Sequence, residues 1–379
     1  MTILTVNTGS SSVRLAAFTH ESNRLTELVS VRHELAADEP RVVLSEFVKM
    51  HGLIGLNVSV HRVVHGGANL TASRLLDQEV EQEIDRLKPL APLHNAVSLR
   101  WIHAAREALG ANITQVAVFD TAFFTALPEI ARTYAIPHAL AKKYGLRRYG
   151  FHGLAHQAMW RKWRDHKPDI SHGGRVISIQ LGAGCSITAI DNGSPRDTSM
   201  GFSPLEGLMM ATRSGDIDPG LVTFLQRQES LLPEQMDQLL NEHSGLLGVS
   251  GISADVRQLL ESQDERAGLA VDMYCYRARK YLGAYLAVLG GAEAIVFGGG
   301  VGENVPVVRK KILAGMEWCG IEVDFKQNHG SDEILRVSTP KSRVEVWVIP
   351  VNEAEMLAGE ALAVIAGERE RNFRENQHE

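Results

Sequence analysis

The chain has 379 residues, of which 44% are hydrophobic and 22% charged. At roughly 100–200 residues per domain this is room for two or three domains, and the balance is that of a folded globular protein, which excludes disorder over most of the chain. Lys and Arg number 39 against 45 Asp and Glu, a net charge of −6, and no basic arm or stripe is present, so nucleic acid is not an expected partner.

The opening MTILTVNTGSSS has no basic segment and no long apolar core, so it is not read as a signal peptide. Ile3–Asn7 reads as a strand, Gly9–Ser12 as a turn and Val13–Phe18 as the returning strand. Val58–Val64 is strand-like and runs into His65-Gly66-Gly67, and Gln115–Phe119 is a strand ending at Asp120. Helical spacing occupies Gln78–Lys88, Ala96–Leu109, Pro128–Tyr134 and His152–Arg164. The hairpin figure then recurs, with strands at Val176–Gln180 and Ile187–Ile190 around the small-residue turn Gly182–Ser186. Setting Asn7 on Gln180 also sets Gly9 on Gly182, an offset of 173 residues, which suggests two related halves. Glu265–Leu289 is the clearest helix, its apolar stripe carrying Tyr274, Ala278, Tyr281, Leu282, Tyr285, Leu286 and Leu289. The apolar stretch Tyr281–Gly302 holds seven glycines and Glu293, so it reads as a helix end, a turn and a buried strand at Ala294–Phe297, not a membrane span. Val307–Met316 is helical, Val344–Ile349 a strand and Glu353–Ile365 a helix, followed by a charged tail, Gly367–Glu379, expected to fray.

Strands alternating with helices point to α/β layers with a mixed sheet in each half. The expected domains are residues 1–124 with 355–379, and residues 125–354; the final helix folds back onto the first half. Cys185, Cys275 and Cys319 are far apart and form no CxxC, which argues against structural zinc and for a reducing cytosol.

The chemistry-bearing segments are turns. The sequence has no GxxxxGK[ST], no GxGxxG and no HExxH. It does have three glycine-rich turns after strands. Asn7–Ser12 offers an amide, hydroxyls and backbone N–H groups, with Arg14 following; Gly182–Ser186 is a second tip; Gly298–Asn304 is a third, before a helix. Each alone is also what a tight hairpin or strand–helix turn needs, and the three together favour phosphate binding. Arg62 sits in an apolar strand and Arg213 in the loop ATRSGDIDPG. A guanidinium there either pairs structurally, as Arg62 with Asp120, or clamps carboxylate and phosphate oxygens. His152 and His156 have metal-pair spacing without a third ligand; a core or capping histidine and a donor to a transferring phosphoryl group are the other readings.

Taken in order, NTGSSSVR (7–14), HRVVHGG (61–67), LAPLHN (90–95), FDTAFF (119–124), RRYGFHG (147–153), GFSPLEGLMMATRSGDIDPG (201–220), SGISADVR (250–257), GGVGEN (299–304) and NEAEML (352–357) resemble the acetate kinase family, within the superfamily of sugar kinases and actin. The resemblance spans nearly the whole chain. It implies an α/β, two-domain actin-like ATPase fold of the ribonuclease H type, with mixed sheets and an interdomain cleft. It implies ATP, acetate and Mg²⁺ giving ADP and acetyl phosphate, and a cytoplasmic homodimer with no nucleic-acid or membrane partner. The candidate interface is Glu265–Leu289, whose tyrosine-rich face equally suits ordinary core.

By the same resemblance Asn7 and Glu353 help hold Mg²⁺, and Asn7, Ser10 and Ser12, with Arg14 nearby, form the first phosphate loop. Gln180, Leu181, Gly182, Ala183 and Gly184 form the second. Asp255, Val256 and Arg257, with Gly300, Val301, Gly302, Glu303 and Asn304, line the adenosine pocket. Arg62 and Arg213 bind the carboxylate and the phosphoryl group, His152 and Arg213 stabilise the transition state, and Asp120 is the catalytic acid of the family. An ionised carboxylate is already a nucleophile, so the physical role of Asp120 is to orient Arg62 and the metal. Val64, Leu93, Phe151 and Pro204 form the acyl pocket, sized for a small acid. The chain departs from the family at Arg14 (usually Lys), Gln180 (His), Ala183 (Asn) and in FGGGVGEN (usually FTAGIGEN), all around the phosphate donor. The rival readings are a kinase for propionate or another short acid, an acetate kinase using pyrophosphate, and a non-catalytic nucleotide sensor.

Overall fold

The computed structural model describes residues 1–9, 12–34, 39–91, 94–110, 112–329 and 333–375, with side chains to residue 368. The chain divides into two units, Met1–Thr125 with Asn352–Glu379, and Ala126–Val351.

In the first unit β1 (Thr2–Thr8), β2 (Ser12–Glu21), β3 (Arg24–Glu34), β4 (Leu56–Val63), β5 (Arg74–Leu75) and β6 (Thr114–Phe119) form one sheet in the order β3-β2-β1-β4-β6-β5. β1, β4 and β6 run parallel; β2, β3 and β5 are antiparallel to their neighbours. β1 is central, which is why its Ile3, Leu4 and Val6 are all fully buried rather than alternating with polar residues. One face of the sheet packs Leu4, Val6, Leu15 and Ala17 against Leu44 and Phe47 of helix Pro40–Met50 and Trp101 and Ala105 of helix Asn95–Leu109. Helix Glu353–Glu375 packs on β1, β2, β4 and β6 through buried Ala354, Leu357, Ala358 and Ala361.

The second unit repeats this plan. β7 (Arg175–Leu181), β8 (Cys185–Asp191), β9 (Ser194–Thr198), β10 (Ala294–Gly298), β11 (Leu335–Arg336) and β12 (Glu345–Val348) form a sheet ordered β11-β12-β10-β7-β8-β9. Read from the other edge, this is the order of the first sheet, with parallel and antiparallel pairings in the same places. β1 and β7 have the same length and lie 173 residues apart at both ends, so Asn7 and Gln180 are each the penultimate residue of their strand. Helix Gly153–His166 packs Met159 and Trp163 on Val176, Ala294 and Val296.

Helix Glu265–Leu289 keeps the bounds its periodicity predicts: Asp264 caps it by accepting from Arg266 N, and Gly290 ends it at φ 67°, where a side chain would be strained. Its tyrosine stripe is core. Tyr274 and Tyr285 are 2% exposed in a helix packed on β7, β8 and β9, so that face is closed to a partner; Leu269, Met273 and Tyr276 are exposed on the same helix. The final helix runs to Glu375, ten residues past the predicted Ile365, because Gly367 is tolerated inside a helix already docked through its first three turns. β3 and helices Pro40–Met50, Pro219–Gln228 and Pro233–Glu242 were not expected; each of these helices opens with Pro in its first turn, the signal that marks their starts. Among the described residues no helix is long and apolar enough to cross a membrane.

Candidate active site

In the first unit, three sheet ends meet around one guanidinium. Arg62 is the penultimate residue of β4, between β1 and β6. Its Nε donates to Asp120 Oδ1 at 2.9 Å and its Nη2 to Asp120 Oδ2 at 2.6 Å, a bidentate pair with a carboxylate that is completely buried. Asp120 is held there because it directly follows β6 and starts the tight turn Asp120–Ala126. The remaining nitrogen, Nη1, donates to Asn7 Oδ1 at 3.2 Å and lies 3.8 Å from Glu353 Oε2. Asn7 Nδ2 donates to that same Glu353 oxygen at 2.7 Å, which fixes the first residue of the final helix to the end of β1. Burial works to lower the guanidinium's proton affinity, but the charges of Asp120 and Glu353 more than offset it, so Arg62 stays charged. Only 11% of its side chain is exposed, and that part is what an incoming anion can reach.

The rest of the predicted site in this unit is partly visible. Val64 is buried just after β4. Ser12 accepts a hydrogen bond from Arg32 Nε at 3.0 Å, and Arg14 stands opposite both Asn7 and Arg32 in the sheet register, so it shares their face. Arg32 was missed by motif spacing, because its contribution depends on β3, an edge strand with no motif of its own. Ser10 and Leu93 lie outside the described residues. His65 serves the backbone, its Nδ1 accepting from Gly67 N at 2.9 Å.

In the second unit the β7–β8 hairpin closes with Gly182 N donating to Gly184 O at 3.1 Å. A β-carbon built on Gly184 would meet the His152 ring at 3.2 Å and Arg213 Nη1 at 3.4 Å, so imidazole, guanidinium and hairpin tip converge on one point. Arg213 Nη1 also donates to Pro204 O at 3.2 Å, and Ala211 N donates to Ala183 O, which ties the 201–213 loop to the tip. Burial lowers the proton affinity of Arg213, and among the described residues no carboxylate pairs with it. The same loop is braced from below by Arg148, which donates to Glu206 at 2.5 Å and to Thr198 O at 3.0 Å, and by Tyr134, which bonds Glu206 and accepts from Phe202 N. Phe151 is buried and Pro204 half-buried.

His152 has left-handed backbone, φ 58°, immediately before helix Gly153–His166. Its Nδ1 lies 2.8 Å from Ser186 Oγ on β8. His156 is fully buried, and burial foremost, with the neighbouring His152, holds its proton affinity well below the usual imidazole range.

Gln180 ends beside the third turn. A β-carbon on Gly299, φ 78°, would sit 2.8 Å from Gln180 Nε2 and 2.6 Å from Leu181 O, so only glycine fits. Gln180 Oε1 is buried and accepts from no described residue. The turn Gly299–Asn304 is a short helix closed on itself. Glu303 Oε1 accepts from Gly299 N at 2.7 Å and Val351 N at 3.1 Å, and Asn304 donates to Gly300 O. Arg309 donates to the carbonyls of Gly302 and Glu303 at 2.6 and 2.9 Å; it is fully buried, which pulls it down to about 10. Gly300 leaves open space, with no atom within 4 Å of a β-carbon there, and Val301 is half-buried. Asp255 caps helix Val256–Glu261 and pairs with Arg257, whose side chain is 72% exposed, while Val256 is buried.

Among the described residues no group of three His, Cys, Asp or Glu side chains could hold a metal. Glu353 and Asn7 suit Mg²⁺ all the same, since that ion keeps waters and substrate phosphates and needs one or two protein oxygens rather than a cage. Glu353 is 19% exposed, accepts from Asn7 and lies 3.8 Å from an Arg62 nitrogen.

The profile of the acetokinase family matches residues 42–359. An acetate kinase of Chloroherpeton thalassium is 48% identical over 304 residues, 79% of this chain and 73% of that one. The structure of Porphyromonas gingivalis acetate kinase superposes with a TM-score of 0.87 at 37% identity, covering 96% of this chain and 99% of that one. That of a propionate kinase from Francisella tularensis superposes with a TM-score of 0.86 at 31% identity, covering 95% and 98%.

Proposed function

The chain belongs to the acetokinase family, and from that premise we propose that it transfers the γ-phosphoryl group of ATP to the carboxylate of acetate, reversibly, giving acetyl phosphate and ADP. The observation that carries this reading is the Arg62 cluster: a guanidinium locked by Asp120 and bordered by Asn7 and Glu353, in a chain of this family.

Acetate is ionised at neutral pH and attacks phosphorus without losing a proton, so the residues have charge to manage rather than a base to supply. Arg62 presents its exposed part to acyl and phosphoryl oxygens. Asp120 fixes that guanidinium's plane by occupying two of its donors, a positioning role. Arg213 and His152 donate to the oxygens of the transferring group, where charge redistributes in the transition state. Asn7 and Glu353 would hold Mg²⁺, which would supply positive charge to offset that of the phosphate oxygens. The β1–β2 and β7–β8 tips bind phosphate, and Gly299–Asn304 with Asp255–Arg257 borders the adenosine. Val64 limits the acyl chain; one methylene is worth about 1–3 kcal/mol of discrimination, so propionate is a slower second substrate, in keeping with the likeness to a propionate kinase. The chain works in the cytoplasm as a homodimer through the second unit, whose exposed Leu269, Met273 and Tyr276 support an apolar contact.

The test is acetyl phosphate formation from acetate, ATP and Mg²⁺, trapped by hydroxylamine, with pyrophosphate as donor in parallel. Product with ATP supports the reading. Product with pyrophosphate alone means that Gln180, Ala183 and Gly300 mark a rebuilt donor site. ATP binding without product from any short acid returns the nucleotide sensor.

A further inference from the structure

The half-buried His152 ring is the head of a chain of four polar side chains, the other three buried between helix Gly153–His166 and the β7–β8 pair. Ser186 Oγ lies 2.8 Å from His152 Nδ1 and 2.8 Å from His156 Nε2, and Ser178 Oγ lies 2.6 Å from His156 Nδ1. Ser178, Ser186 and His156 are completely buried. The spacing is set by secondary structure: His152 and His156 are one helical turn apart, and Ser178 and Ser186 lie on one face of paired strands.

A hydroxyl has one proton. Ser186 therefore donates to one imidazole and accepts from the other, and the two rings must face it with opposite polarity. A neutral His156 carries one N–H, so the chain has two self-consistent settings. In one, Ser178 donates to His156 Nδ1, His156 Nε2–H donates to Ser186, Ser186 donates to His152 Nδ1, and a neutral His152 carries its proton on Nε2. In the other every bond reverses, and a neutral His152 offers a lone pair at Nε2, which repels phosphate oxygens. That nitrogen is at the point where Gly184 and Arg213 converge. A cationic His152 would satisfy the reversed setting, but it would place a second positive charge beside the Arg213 guanidinium, and the two would repel.

We propose that Ser178, His156 and Ser186 are positioning residues that hold His152 neutral, as the Nε2–H tautomer, with that N–H aimed at the transferring phosphoryl group. The proposal rests on the reading of His152 as a phosphoryl-binding residue.

The test is a double-mutant cycle with an imidazole ¹⁵N spectrum. Ser186→Ala should lower kcat about 10- to 100-fold, the usual cost of losing a group that orients a functional one, with KM for ATP and acetate within about twofold. The His152 signals should pass from a single Nε2–H tautomer to a mixture. Ser186→Thr keeps the hydroxyl and should recover most of the rate. In a His152→Ala background, Ser186→Ala should cost nothing further. An equal loss in both backgrounds, or an unchanged tautomer in Ser186→Ala, overturns the proposal. Wild-type kcat in His152→Ala overturns the reading beneath it instead. If Ser186→Ala does not fold, Ser178→Ala removes the far end of the same chain and should give the same tautomer change with a smaller loss, and no change there overturns the proposal.

Discussion

The two units are one topology used twice, with different chemistry at matching places. Each sheet places a parallel trio, β1-β4-β6 or β7-β10-β12, beside an antiparallel meander, and each hairpin tip follows a polar residue in the penultimate position of the central strand. In both, a helix that covers the sheet has a polar residue at its first turn aimed at the hairpin: Glu353 reaches Asn7, and His152 reaches Ser186. The first unit fills this frame with formal charges, Arg62, Asp120 and Glu353. The second sets imidazoles and hydroxyls beside Arg213, with which no carboxylate pairs among the described residues. The lesson is that the fold supplies glycine turns and strand ends at fixed positions, and the side chains decide what those positions do.

The arginines break this comparison most directly. Arg213→Ala should lower kcat by about 10²–10³, since a donor to transition-state oxygens is lost, and thermal unfolding should change little, because no buried carboxylate is left behind. Arg62→Ala should lower kcat comparably and also cost about 3–5 kcal/mol of stability, because Asp120 remains buried and unpaired. Equal stability losses at both sites would erase the contrast between a charged and a neutral half. Val64→Ala should then raise the propionate-to-acetate ratio of kcat/KM by about tenfold, the worth of one methylene; an unchanged ratio removes Val64 from the acyl site.

Acid stability tests a feature the halves share, a buried neutral histidine. Burial foremost, with the charge of Arg106, pushes His61 down to about 3 from 6.5, against a bond to Gln115 that works the other way. The unfolded imidazole binds a proton that the folded one refuses, so stability is full above pH 6.5 and declines as pH falls toward 3. His156 adds the same sign in the second unit. His61→Gln should flatten the fall of Tm between pH 6.5 and 4, and an unchanged slope would contradict a neutral His61. The smallest effect is expected at Gln180→Ala, a rise of about threefold in KM for ATP, with KM for acetate unchanged, on losing one uncharged donor.

Much of this frame is legible in the sequence. The helix Glu265–Leu289 declares itself by periodicity and its capping Asp264, and the repeat of Asn7 and Gly9 at Gln180 and Gly182 foretells the matching hairpins. Arg62 in an apolar strand and Asp120 at a strand end point to their pairing. What spacing does not carry is contact across elements. Arg32 matters only because β3 pairs with β2, and Ser178 and Ser186 are ordinary strand residues until helix Gly153–His166 lays His156 between them. Arg309 reads as one more surface cation on a helix, and its burial under four oxygen acceptors needs the fold. The tyrosine face of Glu265–Leu289 reads as core or interface alike, and the packing of the second sheet makes it core.

The division of labour between the halves is tested most directly by titrating acetate and ATP separately on Arg62→Lys. This variant keeps the charge and loses the two-pronged bond to Asp120. The account predicts that KM for acetate rises about tenfold or more, with kcat reduced and KM for ATP within about twofold of wild type. A rise confined to KM for ATP, with acetate binding unchanged, would contradict it.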